Sequence, residues 1–269
     1  MTPGIQPGPF LQLQNVLRCI DIEAFKIEIA GLVTQVQPLY ESTKAYCGNY
    51  LTDRSAELHI AVLEDDLIYE QTMLDMEAKE EGMKLRKFTG PFLERAAIQR
   101  KIAERLLQED TLLLHGSTVS VDGNAYLFTA ACGTGKSTHT GLWREAFGNR
   151  AVMINDDKPF LKISQKGVTA CGSPWSGKHG LDTNISVPLK GICILYRGAE
   201  NVIKRITSKD AANMLHHQCY AAETETGREK TVLLLEKLME SVPLWKMHCT
   251  KTADAAITAF QAMSANISD

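Results

Sequence analysis

The segment between residues 130 and 138 constrains this chain more than any other part of its sequence. Its residues are Ala-Ala-Cys-Gly-Thr-Gly-Lys-Ser-Thr. An apolar, strand-like run ends at Ala130 and a helix is predicted over 136–147, so the segment connects a strand to a helix through two glycines. Such a connection surrounds a phosphate with backbone N–H groups and adds the positive end of the helix. The sequence therefore predicts a phosphate-binding loop, although Ala130 replaces the first glycine of the G-x-x-x-x-G-K-[ST] pattern.

Each residue type in this loop has a chemical role. The glycines let the backbone form a nest of N–H groups around a β-phosphate. Lys136 places a positive charge on the β and γ oxygens of a nucleoside triphosphate, and the Ser137 hydroxyl is a ligand for Mg²⁺. The predicted cofactors are ATP and Mg²⁺, with GTP left open as the nucleotide. The residues predicted to bind the nucleotide are Gly133, Thr134, Gly135, Lys136, Ser137 and Thr138.

Two adjacent carboxylates, Asp156 and Asp157, follow an apolar strand predicted over 151–154. Mg²⁺ prefers oxygen ligands and keeps several waters, so one carboxylate can hold the metal. The other carboxylate can accept a proton from an attacking hydroxyl. His115 lies in the apolar run 112–121, which is predicted to form the first strand of a hairpin. A histidine in such a run is more often a core residue, but two neighbouring strands can bring it beside the phosphates.

Together these residues resemble a known superfamily. His115-Gly116, the loop that follows and the Asp-Asp pair resemble the HPr kinase/phosphorylase and phosphoenolpyruvate carboxykinase superfamily over residues 115–200. The sequences Asn-Asp-Asp-Lys-Pro and Ser-Pro-Trp-x-Gly-Lys-His are similar to those of bacterial HPr kinase-like and carboxykinase-like proteins. The resemblance implies a catalytic set of Asp156, Lys136 and His115. It also implies that Asp156 is the base and that Ser137 and Asp157 are metal ligands. The roles of the two aspartates can be exchanged.

The polar loop over residues 172–184 is the predicted acceptor site. Two glycines and a proline mark it as a loop, and its side chains offer stacking, charge and hydrogen bonds. The side chains concerned are Trp175, Lys178, His179 and Asn184. The alternative is an exposed turn whose tryptophan packs on the core. Arg197 and Arg228 are further candidates for a cation at the transition state, and nothing local distinguishes them.

The order of the predicted elements indicates an α/β fold. Strands and helices interleave after residue 110, as in a layered α/β domain. The resemblance implies a P-loop kinase core of HPr kinase/carboxykinase type, with a mixed β-sheet flanked by helices and an N-terminal α+β extension. The expected division is 1–109 and 110–269, with one continuous domain as the alternative. The first twenty residues, which are rich in proline and glutamine, are expected to form a loose arm.

The composition excludes several classes of protein. Twenty-nine Lys and Arg residues stand against 32 Asp and Glu residues, for a net charge of −3, so no bulk positive field attracts nucleic acid or an anionic membrane. No apolar run reaches the roughly 18 residues of a membrane span, and the N-terminus does not have the pattern of a signal peptide. The seven cysteines include no C-x-x-C pair. We therefore expect a cytoplasmic protein with reduced thiols.

These observations predict an ATP-dependent kinase that phosphorylates a hydroxyl on a small molecule or a short peptide by Mg-assisted in-line transfer. The alternatives are an HPr-type serine kinase/phosphorylase and a nucleotide-binding regulatory module without transfer chemistry. The Glu-Ile-Arg-Gly-Leu-Gly-Ile sequence of HPr kinases is absent. The chain also has about half the length of an ATP-dependent carboxykinase, which argues against oxaloacetate decarboxylation. The resemblance suggests a homo-oligomer without indicating its surface.

Overall fold

The computed structural model describes residues 22–80 and 82–265, and the expected N-terminal arm lies outside these ranges. The chain divides into two compact units, Met1–Ile102 and Ala103–Asp269. This boundary falls seven residues before the one expected from the sequence, inside a helix that spans Gly90–Leu107. Within the described ranges, no helix combines the length and the apolar character that a membrane crossing requires.

The described part of the first unit contains a small three-stranded sheet and three helices. Its strands are β1 (Phe25–Ile29), β2 (Leu32–Gln37) and β3 (Leu58–Ala61). Its helices are α1 (Ser42–Tyr46), α2 (Glu64–Glu80) and α3 (Gly90–Leu107), the last of which continues into the second unit. Strand β1 pairs with β2 in an antiparallel hairpin, and β3 lies parallel to β2. Ala30 and Gly31 have positive φ angles and form the turn of the hairpin.

The second unit combines nine described strands with four further helices. The strands are β4 (Thr111–Leu113), β5 (Ser117–Val121), β6 (Asn124–Thr129), β7 (Ala151–Asn155), β8 (Phe160–Ser164), β9 (Gly167–Cys171), β10 (Ser186–Arg197), β11 (Val202–Arg205) and β12 (Leu244–Cys249). The helices are α4 (Lys136–Phe147), α5 (Ser208–Gln218), α6 (Glu225–Ser241) and α7 (Ala253–Ser264).

The topology of the large sheet brings three strand ends to one edge. The strand order is β4-β8-β9-β10-β6-β5-β7, with β12 joined to β10 and β11 joined to β12. Strands β6 and β10 are parallel, and β5 is antiparallel to both β6 and β7. Strands β6, β7 and β10 therefore run in the same direction. Their carboxyl ends, which lead into the loop at 130, the aspartate pair and Arg197, lie at the same edge of the sheet.

Residues 112–121 do not form the single strand that their apolar character suggested. The run is broken at His115 and Gly116, so β4 pairs with β8 whereas β5 pairs with β6 and β7. At the break, the His115 N–H donates to the Gln218 carbonyl at 2.7 Å and the Gly116 N–H donates to the Asp157 carbonyl at 3.0 Å. Because the backbone changes partners here, His115 lies between two strands rather than within one.

The alternation of side chains along the central strands builds a core on each face of the sheet. On β10, Ile192 and Ile194 belong to one apolar cluster, whereas Cys193 and Leu195 belong to the other. Helices α5 and α6 contribute to the first cluster, and α4 and α7 to the second. This two-faced packing is the period-two pattern of a sheet that is covered on both sides. The layered, mixed α/β architecture expected from the sequence is therefore confirmed.

Candidate active site

The glycine-containing loop connects β6 to α4, and α4 begins at Lys136 as the sequence predicted. Gly133 has a φ of 71° and Gly135 a φ of 118°, in the region that favours glycine. A Cβ atom built at Gly133 would meet nothing within 4 Å. The backbone conformation, rather than a lack of space, therefore accounts for glycine at this position.

Lys136 lies half-buried at the start of α4, with its side chain turned back along the loop. Its Nζ atom donates to the Ala130 carbonyl oxygen at 3.4 Å. Burial lowers the pKa of the Lys136 ammonium below its ordinary value, while the nearby Asp157 carboxylate opposes that shift. The lysine thus couples the loop electrostatically to the carboxylate at the end of β7.

Asp157 pairs with His115 across the edge of the sheet. The Nε2 atom of His115 lies 3.1 Å from Oδ1 of Asp157, and both side chains are 32% exposed. Burial alone would raise the pKa of the Asp157 carboxyl. The hydrogen bond from His115 and the charges of Lys158, His115 and Lys136 outweigh burial and hold this pKa below its ordinary value. Asp157 is therefore an ionised carboxylate that solvent can reach at neutral pH.

Asp156 has a different environment from its neighbour. Its side chain is buried, and its Oδ1 atom accepts a hydrogen bond of 2.6 Å from the Ser117 hydroxyl. The Ser117 Oγ atom also lies 2.7 Å from Oγ1 of Thr140, on α4. Three elements, β5, β7 and α4, therefore meet at this carboxylate. Sequence reasoning missed Ser117 and Thr140, because a hydroxyl in a predicted strand or helix gives no indication of its partner in another element.

A cavity of about 300 Å³ lies beside the loop. Its lining comes from the loop, from α4 and from the residues around the ends of β10 and β12, including Thr138, Leu142 and Lys251. Arg197, another lining residue, donates from Nη2 to the Gly133 carbonyl oxygen at 2.6 Å. The structure thus brings Arg197 to the loop, although nothing in the sequence distinguished it from Arg228. Arg228 instead donates to the carbonyl oxygens of Ala222 and Glu223, near the start of α6.

The predicted acceptor loop is held against the end of β7. A Cβ atom built at Gly177 would lie 3.2 Å from Cβ of Asp157, and Gly177 has a φ of 67°. The next two side chains, Lys178 and His179, are exposed, as is Asn184. Trp175 is buried, with 7% of its surface exposed. The tryptophan is thus in the packed position of the alternative interpretation, while the turn approaches Asp157 at Gly177.

The described residues fit a magnesium ion bound largely through a nucleotide. Ser137 and the two aspartates offer hard oxygen donors near the loop, which suit Mg²⁺. Within the part of the chain that the structure describes, no group of three His, Cys, Asp or Glu side chains is arranged to hold a metal by itself. Mg²⁺ commonly takes one or two carboxylates and completes its shell with phosphate oxygens and water, so the donor set suits that ion.

Comparison with known proteins gives a structural resemblance and no sequence match. Neither the models of protein families nor the curated proteins gave a match to this chain. Among solved structures, the chain is similar to the HPr(Ser) kinase/phosphatase from Coxiella burnetii, with 9% sequence identity and a TM-score of 0.33. The similarity covers 57% of this chain and 99% of that chain.

Proposed function

We propose that this chain is an ATP-dependent phosphotransferase of HPr kinase/carboxykinase type, which phosphorylates a hydroxyl on a small molecule or a short peptide. One observation carries the proposal. The carboxylate of Asp157 is hydrogen-bonded to His115 and electrostatically coupled to Lys136, at the edge where the glycine-containing loop follows β6. A phosphate held by the loop N–H groups and Lys136 lies next to a group that can receive a proton.

In this mechanism the chain mainly positions groups and stabilises charge. The loop amides and Lys136 hold the β and γ phosphates, and Ser137 and one aspartate hold Mg²⁺. When bound, the metal neutralises charge on the phosphate oxygens. The second aspartate orients the acceptor hydroxyl and accepts its proton during in-line transfer.

The geometry supports the exchanged assignment of the aspartates. Asp157 is solvent-accessible and faces the acceptor turn at Gly177, which suits the group that contacts the acceptor. His115 fixes its orientation. Asp156 is buried and anchored by Ser117, beside the helix that carries Ser137, which suits a ligand of the metal or of its water shell. We therefore assign the base to Asp157 and metal binding to Asp156 with Ser137.

The nucleoside and the acceptor occupy opposite sides of the loop in this proposal. The cavity beside Thr138 and Leu142 takes the nucleoside, since its volume is at the lower end of the range of small-molecule sites. The acceptor lies against the turn of Lys178 and His179, where both side chains are exposed. Arg197 uses one of its five N–H donors on the Gly133 carbonyl, and the others are available for phosphate binding.

The test uses ATP labelled at the γ-phosphate, incubated with the protein and separately with a metabolite fraction, a peptide fraction and a lysate. Label in the small-molecule or peptide fraction supports the proposal, whereas label in a protein supports the HPr-type alternative. Nucleotide binding without transfer or hydrolysis would indicate a regulatory module. Lys136→Ala should abolish transfer, and Lys166→Ala, at an exposed turn between β8 and β9, is the matched control.

A further inference from the structure

The side chain of Asn155, the last residue of β7, bonds to two separate segments at once. Its Oδ1 atom accepts hydrogen bonds from the backbone N–H groups of Asp157, at 2.8 Å, and Lys158. Its Nδ2 atom donates to the carbonyl oxygen of Ser173 at 2.7 Å and to the Ser173 hydroxyl at 3.0 Å. The residue is fully buried.

The chemistry of these partners fixes the orientation of the amide. Two N–H groups face Oδ1 and two oxygen atoms of Ser173 face Nδ2, so a flipped amide would set oxygen against oxygen. Aspartate offers no N–H donor and would bury a charge, and serine is too short to span both segments. The position thus requires a neutral side chain with a donor and an acceptor on one planar group, as asparagine has.

The remainder of the loop is tied to the same strand end. The Ser173 hydroxyl donates to the Lys158 carbonyl at 2.6 Å, and the Thr183 N–H donates to the Ile154 carbonyl at 3.1 Å. The backbone of Asn155 also forms an antiparallel bridge with Asp182. Both ends of the segment 173–183 are therefore attached to the strand end that leads into Asp157.

We propose that Asn155 is a positioning residue that joins the Asp157 carboxylate and the acceptor loop, residues 173–183, into one rigid unit. The loop then cannot move away without shifting the turn that carries Asp157, so the distance between acceptor and base is set by this amide. The joining of the two segments rests on the hydrogen bonds above, and its consequence for catalysis rests on the proposed phosphotransferase function.

Two substitutions weaken the arm of the amide that reaches Ser173 and keep the arm that reaches the Asp157 turn. Ser173→Ala removes the hydroxyl that bonds both Asn155 and the Lys158 carbonyl, without adding charge. Asn155→Asp keeps the acceptor for the Asp157 turn and loses the donors to Ser173. Ser241→Ala is the matched control, because it loses a hydrogen bond of 2.7 Å from a serine hydroxyl to a carbonyl at the end of α6, away from the loop.

The first measurement is the rate of trypsin cleavage after Lys178 in the native protein, divided by the rate of cleavage after the exposed Lys166. Mass spectrometry follows both cleavages. The lost hydrogen bonds should raise this ratio at least about tenfold in both variants, while the ratio in Ser241→Ala should stay unchanged. The second is the ¹⁵N chemical shift of the His115 ring, which reports the position of Asp157 without any substrate. It should change in Ser173→Ala and not in the control.

The third measurement is the turnover of Mg-ATP, where we expect kcat to fall about tenfold with an unchanged Kd for the nucleotide. An equal rise of cleavage at Lys178 and Lys166 would overturn the proposal, because it would indicate general destabilisation. A raised ratio with an unchanged His115 shift would also overturn it. If the wild-type protein neither binds nor turns over ATP, the proposed function fails, while the first two measurements still decide whether Asn155 joins the two segments.

Discussion

At the scale of single residues, the two neighbouring aspartates differ in what surrounds them. Asp156 is buried against Ser117, whereas Asp157 is one-third exposed and bonded to His115. Asp156→Asn should weaken the apparent affinity for Mg²⁺, and added Mg²⁺ should partly restore turnover. Asp157→Asn should lower kcat about 100-fold with little change in nucleotide affinity, because a general base contributes roughly that much. A magnesium titration of the turnover of both variants checks this.

The assignment of the two roles requires that the turnover of Asp156→Asn and that of Asp157→Asn respond differently to added Mg²⁺. If Asp157→Asn were rescued by Mg²⁺ and Asp156→Asn were not, the roles would be the reverse of those assigned here. Equal rescue of both would mean that the aspartates share the metal and that neither is a dedicated base.

Lys136 allows a second prediction at this scale. Lys136→Ala should reduce turnover at least 100-fold, because a cation on the transferring phosphate stabilises the transition state by several kcal/mol. Stability should change little, since this side chain is only half-buried and burial already lowers the pKa of its ammonium. Activity and thermal unfolding of Lys136→Ala and of the Lys166→Ala control provide the check. More than about a tenth of wild-type turnover would contradict the loop's assignment.

At the scale of the element, helix α4 contains a buried titratable group. His139 is 2% exposed, and burial lowers its pKa from 6.5 to about 4. Its Nε2 atom accepts a hydrogen bond of 3.1 Å from Trp143 Nε1, which requires the neutral ring. Since the unfolded chain binds this proton more tightly, stability should be complete above pH 6.5 and fall as pH drops toward 4. The loss should be about 3 kcal/mol.

Denaturant unfolding at several pH values measures this dependence. His139→Gln should flatten the fall in unfolding free energy between pH 6.5 and 4, whereas His179→Gln, at an exposed position, should leave it as in the wild type. An unchanged pH dependence in His139→Gln would show that other groups cause it.

The helices and strands also show how much of the fold could be predicted from the sequence. Helix α4 and strand β7 were predicted within one residue, because a glycine-containing loop precedes the helix and β7 is a short apolar strand. The prediction of a single strand over 112–121 was wrong. The run is divided at His115 because of partners that lie far along the chain. Nothing in the local sequence indicates that the Gly116 N–H donates to the Asp157 carbonyl.

The sequence could predict the parts of the site that depend on the order of the strands. It could not predict the parts that depend on which residues of two paired strands face each other. Lys136 and the aspartates lie at the same edge of the sheet because the apolar strands that precede them run parallel. Ser117 and Asn155 were missed, because only the pairing of β5 with β7 and the path of the loop after β9 show what their side chains meet. Arg197 reaches the loop because β10 lies parallel to β6, a long-range pairing with no local signal.

At the scale of the whole molecule, the three tryptophans report on one unit alone. Trp143, Trp175 and Trp245 all lie in Ala103–Asp269, and each is at most 9% exposed. Intrinsic tryptophan fluorescence therefore follows the unfolding of the unit that contains the proposed nucleotide site. A ligand that binds only the folded state at 100 times its Kd stabilises that state by about 2.7 kcal/mol.

Mg-ATP should therefore raise the midpoint of the tryptophan fluorescence melt by roughly 5–10 °C, given about 2–4 °C per kcal/mol for a unit of this size. The shift should grow with nucleotide concentration and disappear in Lys136→Ala, because the loop then lacks its phosphate-binding cation. Asp156→Asn should require more Mg²⁺ for the same shift. A nucleotide shift that persists in Lys136→Ala would place the nucleotide away from the loop, since Lys136 is the cation that the proposal assigns to both the β and the γ phosphate.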